Sequence, residues 1–126
     1  MTKIRSPLKA AAPPRIAARM AELQKNARRA AGLLKAMSNP SRLVILCQLS
    51  ERECSVGELE RAVGLSQSGI SQHLAVLRRQ HVVTSRRERQ TVYYCLASDE
   101  VVALMATLHK VFCASLKTPS ARLKAA

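Results

Sequence analysis

Two cysteines are set in apolar surroundings. Cys47 lies within "RLVILCQLS" and Cys113 within "LHKVFCASLK", near the far end of the chain. A thiol in such a run is either a small buried hydrophobe or a reactive group whose partner is brought close by the fold. The residues alone leave both open. Cys54 and Cys95 complete a set of four, for which three full pairings exist and spacing chooses none. Cys54 precedes a capped helix and is read as exposed; Cys54 and Cys95 are read as incidental. His109 lies four residues before Cys113, so a soft-metal site with Cys47 is an alternative.

A second chemistry lies in "LSQSGISQHLAVLRRQ". The spacing of Ile70, Leu74 and Leu77 predicts a helix opening at Ser66, with those residues inward. Gln67, Ser68, Ser71 and Gln72 fall on the opposite side. A face chosen only for solubility usually carries Glu and Lys; residues 66–77 contain neither. Short amide and hydroxyl side chains are those that pair with base edges, and a helix N-terminus attracts phosphate. His73 either reaches the DNA backbone or packs. Arg78, Arg79, Arg86, Arg87 and Arg89 follow, with Gln90 at the same tip and Glu88 the single acid among them. These arginines suit phosphates, which give affinity; the polar face would give sequence preference.

The elements that hold these groups are also legible. "SNPSR" offers Asn39 as an N-cap and Pro40 as a first helical residue. The helix that follows, over 41–50, is apolar on every side from Leu43 to Leu46 and is expected to be buried on several faces. Ser55 and Glu58 form a capping box, and Gly64 ends that helix. Two short helices joined through a glycine turn are a helix-turn-helix. The β-branched and aromatic runs at 82–84 and 91–96 predict a two-stranded hairpin with a loose tip. Ser98 caps a last helix to about Leu116. That helix carries two stripes. One is Val101, Met105, Leu108 and Phe112; the other is Val102, Ala106, His109, Cys113 and Leu116. One is expected against a second subunit and the other, with Cys113, against the helix that bears Cys47.

Residues 1–19 are basic and proline-containing, and are read as a flexible arm. A narrow stripe of Leu23, Ala27, Ala30, Leu34 and Met37 then predicts a helix from about Ala21 that suits a seam with another helix. The domain is placed at 20–117, with a short basic tail at 118–126. The expected class is mainly α with a two-stranded β-wing, a winged helix-turn-helix.

Composition agrees. With 126 residues, 48% of them apolar, one core is expected. The formal charge is +13, which points to an anionic partner rather than to a fold. Only Tyr93, Tyr94 and Phe112 are aromatic, too few for a surface that stacks single-stranded bases. No run approaches the roughly 18 apolar residues of a membrane span, and no apolar leader opens the chain, so a cytoplasmic protein without a membrane partner is expected. Paired carboxylates, a nucleophile triad, a phosphate loop and Cys-x-x-Cys are all missing, which argues against an enzyme. No cofactor is expected.

"LLKAMSNPSRLVILCQL", "SVGEL" and "LSQSGISQHL", followed by the hairpin and the last helix, resemble the ArsR/SmtB family of bacterial winged-helix repressors over roughly 33–116. The resemblance implies a homodimer through the first and last helices, with paired recognition helices on an inverted-repeat operator in double-stranded DNA. The metal boxes of the family are dismantled here. Ser55 and Gly57 stand where one pair of thiolates would be, and only Asp99 remains of the other box. What is left resembles the sulfide- and redox-responsive branch, the BigR/SqrR-like persulfide sensors and HlyU-type regulators. That branch has one cysteine in an "LC" context and one in an "FC" or "YC" context, matched by Cys47 and Cys113. It implies that reactive sulfur species or oxidants bridge the two and release DNA. A soft-metal-responsive repressor and a non-specific architectural nucleic-acid-binding protein are the rivals.

Overall fold

A computed structural model of the chain describes residues 14–113. Two units divide at Gly32 and Leu33. The basic tail expected at 118–126 lies outside the described residues.

The first unit contributes most of helix α1, Pro14–Met37. The helix starts at Pro14 rather than near Ala21, so the last residues assigned to the arm are helical. Proline at the first position costs no hydrogen bond, and the alanines after it are strong helix formers. Ile16, Met20 and Leu23 recur along one side and are exposed. Of the stripe from Leu23 to Met37, Leu23 and Leu34 are exposed in the single chain and Met37 at its end is buried.

The second unit holds α2 (Pro40–Glu51), β1 (Cys54–Ser55), α3 (Val56–Val63), α4 (Gln67–Arg79), β2 (Val83–Glu88), β3 (Thr91–Leu96) and α5 (Asp99–Phe112). Each helix start is fixed by a side chain that accepts an otherwise unpaired N–H. Asn39 Oδ1 accepts from Arg42 N at 3.0 Å. Ser55 Oγ accepts from Glu58 N at 3.1 Å, while Ser55 N donates back to Glu58 Oε1 at 2.9 Å. Ser66 and Ser98 cap α4 and α5 in the same way. Gly64 ends α3 at φ 84°, a left-handed conformation that glycine adopts without steric cost.

The centre of the unit is α2, which packs against α3, α4, β3 and α5. Ile45, Leu46 and Leu49 are buried there with Leu59 of α3, Ile70, Leu74 and Leu77 of α4, and Val101 and Met105 of α5. Val44 is the exception to burial on every side. The two stripes of α5 do not divide the helix as expected. Val101 and Met105, from the stripe without Cys113, enter the core of the same domain, whereas Val102 and Phe112 are exposed.

The hairpin gains a third strand. The order is β1-β3-β2, all antiparallel, with Cys54 opposite Tyr94 and Ser55 opposite Tyr93. This overturns the reading of Cys54 as exposed: it is fully buried, and its thiol donates to the Arg52 carbonyl at 3.5 Å. The tip is tight rather than loose. Glu88 pairs with Thr91, leaving a two-residue turn in which Arg89 has φ 60°. A positive φ at the first turn position matches strand twist, which is why such turns close hairpins even without glycine.

Candidate nucleic-acid interface and cysteine pair

The core residues of α4 fix what its other side offers. With Ile70, Leu74 and Leu77 buried, Ser66, Gln67, Ser68, Ser71 and Gln72 are exposed together at the N-terminal end, and Arg78 and Arg79 are exposed at the other. Ser66 is already engaged: its oxygen accepts from Gly69 N at 3.1 Å and lies 3.4 Å from Ser68 Oγ. Gln67, Ser71 and Gln72 have no such duty to the helix. His73 is half-buried, with Nδ1 3.4 Å from Arg42 Nη1. It packs inward rather than standing with the exposed group.

An open groove of about 460 Å³ runs beside α4, lined by Ser71, Leu74, Ala75, Arg78, Arg79 and Tyr94. Tyr94 was not legible as part of this surface. Its place follows from the period of two along β3, which puts Tyr94 and buried Cys54 on the face toward α4 and Tyr93 on the other. By the same alternation Arg87, opposite Val92, shares the face of Tyr94, and Arg86, opposite Tyr93, does not. Arg87, Arg89 and Gln90 are exposed at and beside the hairpin tip.

Arg86 has company of a different kind. Its Nε and Nη2 donate to the two oxygens of Glu53 at 2.8 and 2.7 Å, and its Nη1 donates to Glu88 Oε1 at 3.0 Å. The guanidinium also lies 4.9 Å from the centre of the Tyr93 ring. These hydrogen bonds hold the Glu53 carboxyl below the usual carboxylate range.

Cys47 and Cys113 are brought to neighbouring elements. Cys47 is half-buried on α2, and Cys113 is the half-buried C-cap of α5, the helix packed on α2. Burial pushes the Cys47 thiol up, and the Cys113 and Glu51 charges push it further the same way. Cys47 is therefore a weaker nucleophile than an ordinary exposed thiol, since the thiolate is the reactive form. All four cysteines are free thiols. Cys95 is half-buried on β3, opposite Thr84. Among the described residues no three His, Cys, Asp or Glu side chains gather as a metal site. Among the described residues, too, no helix is long and apolar enough to cross a membrane.

Residues 39–85 match the family described as bacterial regulatory protein, arsR family. That segment holds α2, the helix-turn-helix and the start of the hairpin. The transcriptional activator HlyU of Vibrio cholerae serotype O1 is 53% identical over 92 residues, spanning 73% of this chain and 85% of that protein. Its solved structure, described as reduced HlyU from V. cholerae N16961, superposes with a TM-score of 0.69, covering 73% of this chain and 97% of that one. The transcriptional repressor BigR from Xylella fastidiosa superposes with a TM-score of 0.67 at 39% identity, covering 75% of this chain and 96% of that one.

Proposed function

The chain belongs to the arsR family of bacterial regulators, winged-helix proteins that control transcription by binding DNA, and from that premise we propose that it is a homodimeric, thiol-switched repressor. In this reading two copies pair through α1 and α5, whose Leu23, Leu34, Val102 and Phe112 are exposed apolar side chains. Two α4 helices then enter successive major grooves of an inverted repeat. Gln67, Ser68, Ser71 and Gln72 read bases. Arg78, Arg79, Arg87 and Arg89, with Gln90, hold phosphates.

The observation that carries the switch is the placement of Cys47 on α2 and of Cys113 at the C-cap of α5, two helices packed on each other. Because α2 also packs against α4, a covalent tie between α2 and α5 acts on the element that presents the reading helix. One relative is named in its reduced form, which supports a redox role.

The chemistry balances with an organic persulfide as oxidant. The Cys47 thiol being pushed up by burial, the Cys113 thiolate attacks first. It takes the outer sulfur and releases the parent thiol. Cys47 then displaces hydrogen sulfide from that persulfide, leaving a disulfide. With two persulfides, two parent thiols and one hydrogen sulfide depart and one extra sulfur stays in the bridge. The relatives include both an activator and a repressor, and repression is the reading proposed here.

The test combines peptide mass spectrometry after persulfide treatment with DNA binding on the same sample. A Cys47–Cys113 crosslink should accompany a loss of affinity of about 5- to 150-fold, the usual span of allosteric coupling. Unlinked cysteines with unchanged affinity would refute the switch.

A further inference from the structure

The five-arginine cluster does not act as one set. We propose that Arg86 is a positioning residue for DNA binding rather than a phosphate contact: with Glu53 it clamps the base of the wing and so sets where Arg87 and Arg89 point. The proposal rests on the DNA-binding reading and adds to it a division of labour within the wing.

Three observations converge. First, the guanidinium is occupied. Three of its N–H groups donate to Glu53 and Glu88, and its flank lies against Tyr93. An arginine that receives a phosphate needs an open fork, and two neighbouring carboxylates repel a phosphate from this one.

Second, Arg86 lies on the wrong side. Strand alternation puts Arg86, Glu88 and Tyr93 on the sheet face away from the α4 groove, with Ser55 beside Tyr93 on β1. Glu53 precedes buried Cys54 and falls on that same outer side. Arg87 and Tyr94 are on the face toward α4.

Third, the clamp sits where the wing loses its support. β1 pairs only with Tyr93 and Tyr94. From the Arg86–Tyr93 pair outward, β2 and β3 have only each other, through Arg87–Val92 to Glu88–Thr91. A lone two-stranded hairpin is marginal in water. A bidentate tie from its base to the segment joining α2 to β1 restrains its swing, and any slack there is magnified at Arg89. Arg86 and Glu53 are 51% and 36% exposed, so the pair adds little to global stability. Its effect is on direction.

The two roles give opposite signs on loss of Glu53. For a phosphate contact, Glu53→Gln frees Arg86 and removes a negative charge near DNA, so binding tightens. For a positioning residue, the wing loosens and binding weakens. The probe is a duplex selected from a random pool by the wild-type protein, with affinity measured by fluorescence anisotropy across a salt series. We expect Glu53→Gln to bind about three- to fivefold more weakly, the range of an exposed bidentate pair. The dependence of log K on log salt should become shallower by up to about two phosphate equivalents as Arg87 and Arg89 disengage. In the exchange Glu53→Arg with Arg86→Glu, the losses of the two single reversals should be largely recovered. Tighter or unchanged binding by Glu53→Gln, or strictly additive losses in the exchange, overturns the proposal. A wild-type protein that selects no duplex would instead refute the DNA-binding reading itself.

Discussion

Arg42 and His73 meet where α2 crosses α4, with Nη1 of the first 3.4 Å from Nδ1 of the second. The Nε of the same guanidinium donates to the Ala36 carbonyl in the last turn of α1. One half-buried side chain thus joins the end of α1, the start of α2 and α4. The seat of α4 is apolar through Ile70, Leu74 and Leu77, and this contact is its polar supplement. Removing Arg42 leaves a carbonyl at buried Ala36 without its partner. Arg42→Ala should lower unfolding stability by about 1–2 kcal/mol, read by urea titration. It should also weaken DNA binding, since α4 loses a restraint.

Cys47→Ser and Cys113→Ser should each abolish release by persulfide while leaving DNA binding in the reduced state intact. Cys95→Ser should leave release unchanged. The measurement is DNA affinity before and after treatment, with the crosslinked peptide followed in parallel.

The burial of Cys47 has a pH signature. Its folded-state thiol ionises above the ordinary thiol range, first because it is buried, then because of Cys113 and Glu51. Alkylation by iodoacetamide should therefore be slow at neutral pH and still rising where an ordinary thiol has levelled off. Cys113→Ser and Glu51→Gln should each move the profile to lower pH. Peptide mapping of partly alkylated samples resolves the site.

Acid should destabilise the fold chiefly through Glu58, with a small part from Glu53. Glu58 is held below its ordinary value, chiefly by the N–H of Ser55, and Glu53 chiefly by Arg86. A depressed folded value means the unfolded chain binds the proton more readily. Their contribution is complete above the ordinary carboxylate range and is lost as pH falls through the folded values. Denaturation midpoints taken from about pH 6 down to about pH 3 should fall, and Glu58→Gln should flatten the decline.

The two kinds of DNA contact should separate. Gln72→Ala should relax base preference at one position of a selected site, by about 1–3 kcal/mol of discrimination. Arg78→Ala should weaken binding on all sequences alike and reduce the salt slope by about one.

What the residues disclosed and what they hid divide by sequence distance. Asn39, Ser55 with Glu58, Gly64, Ser66 and Ser98 act within three or four positions of themselves, so the starts of α2 to α5 and the end of α3 are legible, whereas the start of α1, which no such cap marks, is not. The exposed side of α4 followed because its buried row is periodic. β1 has two residues, too few to show any period, and its partner is Tyr93 and Tyr94, far along the chain. Without β1 neither the burial of Cys54 nor the groove-side position of Tyr94 could be read. Arg86 looked like its neighbours in the cluster because its restraint, Glu53, lies 33 positions away. Arg42 was hidden likewise, as its reach to Ala36 and His73 crosses three helices.

The burial of Cys54 makes the protein its own folding gauge. The other three cysteines are at least partly accessible, and Cys54 is not. A thiol reagent applied to the reduced native chain should count three sulfurs at most, and a fourth only when β1 leaves β3 or the domain opens. The rate at which that fourth sulfur appears reports the opening frequency of the sheet edge that anchors the wing, without any added label.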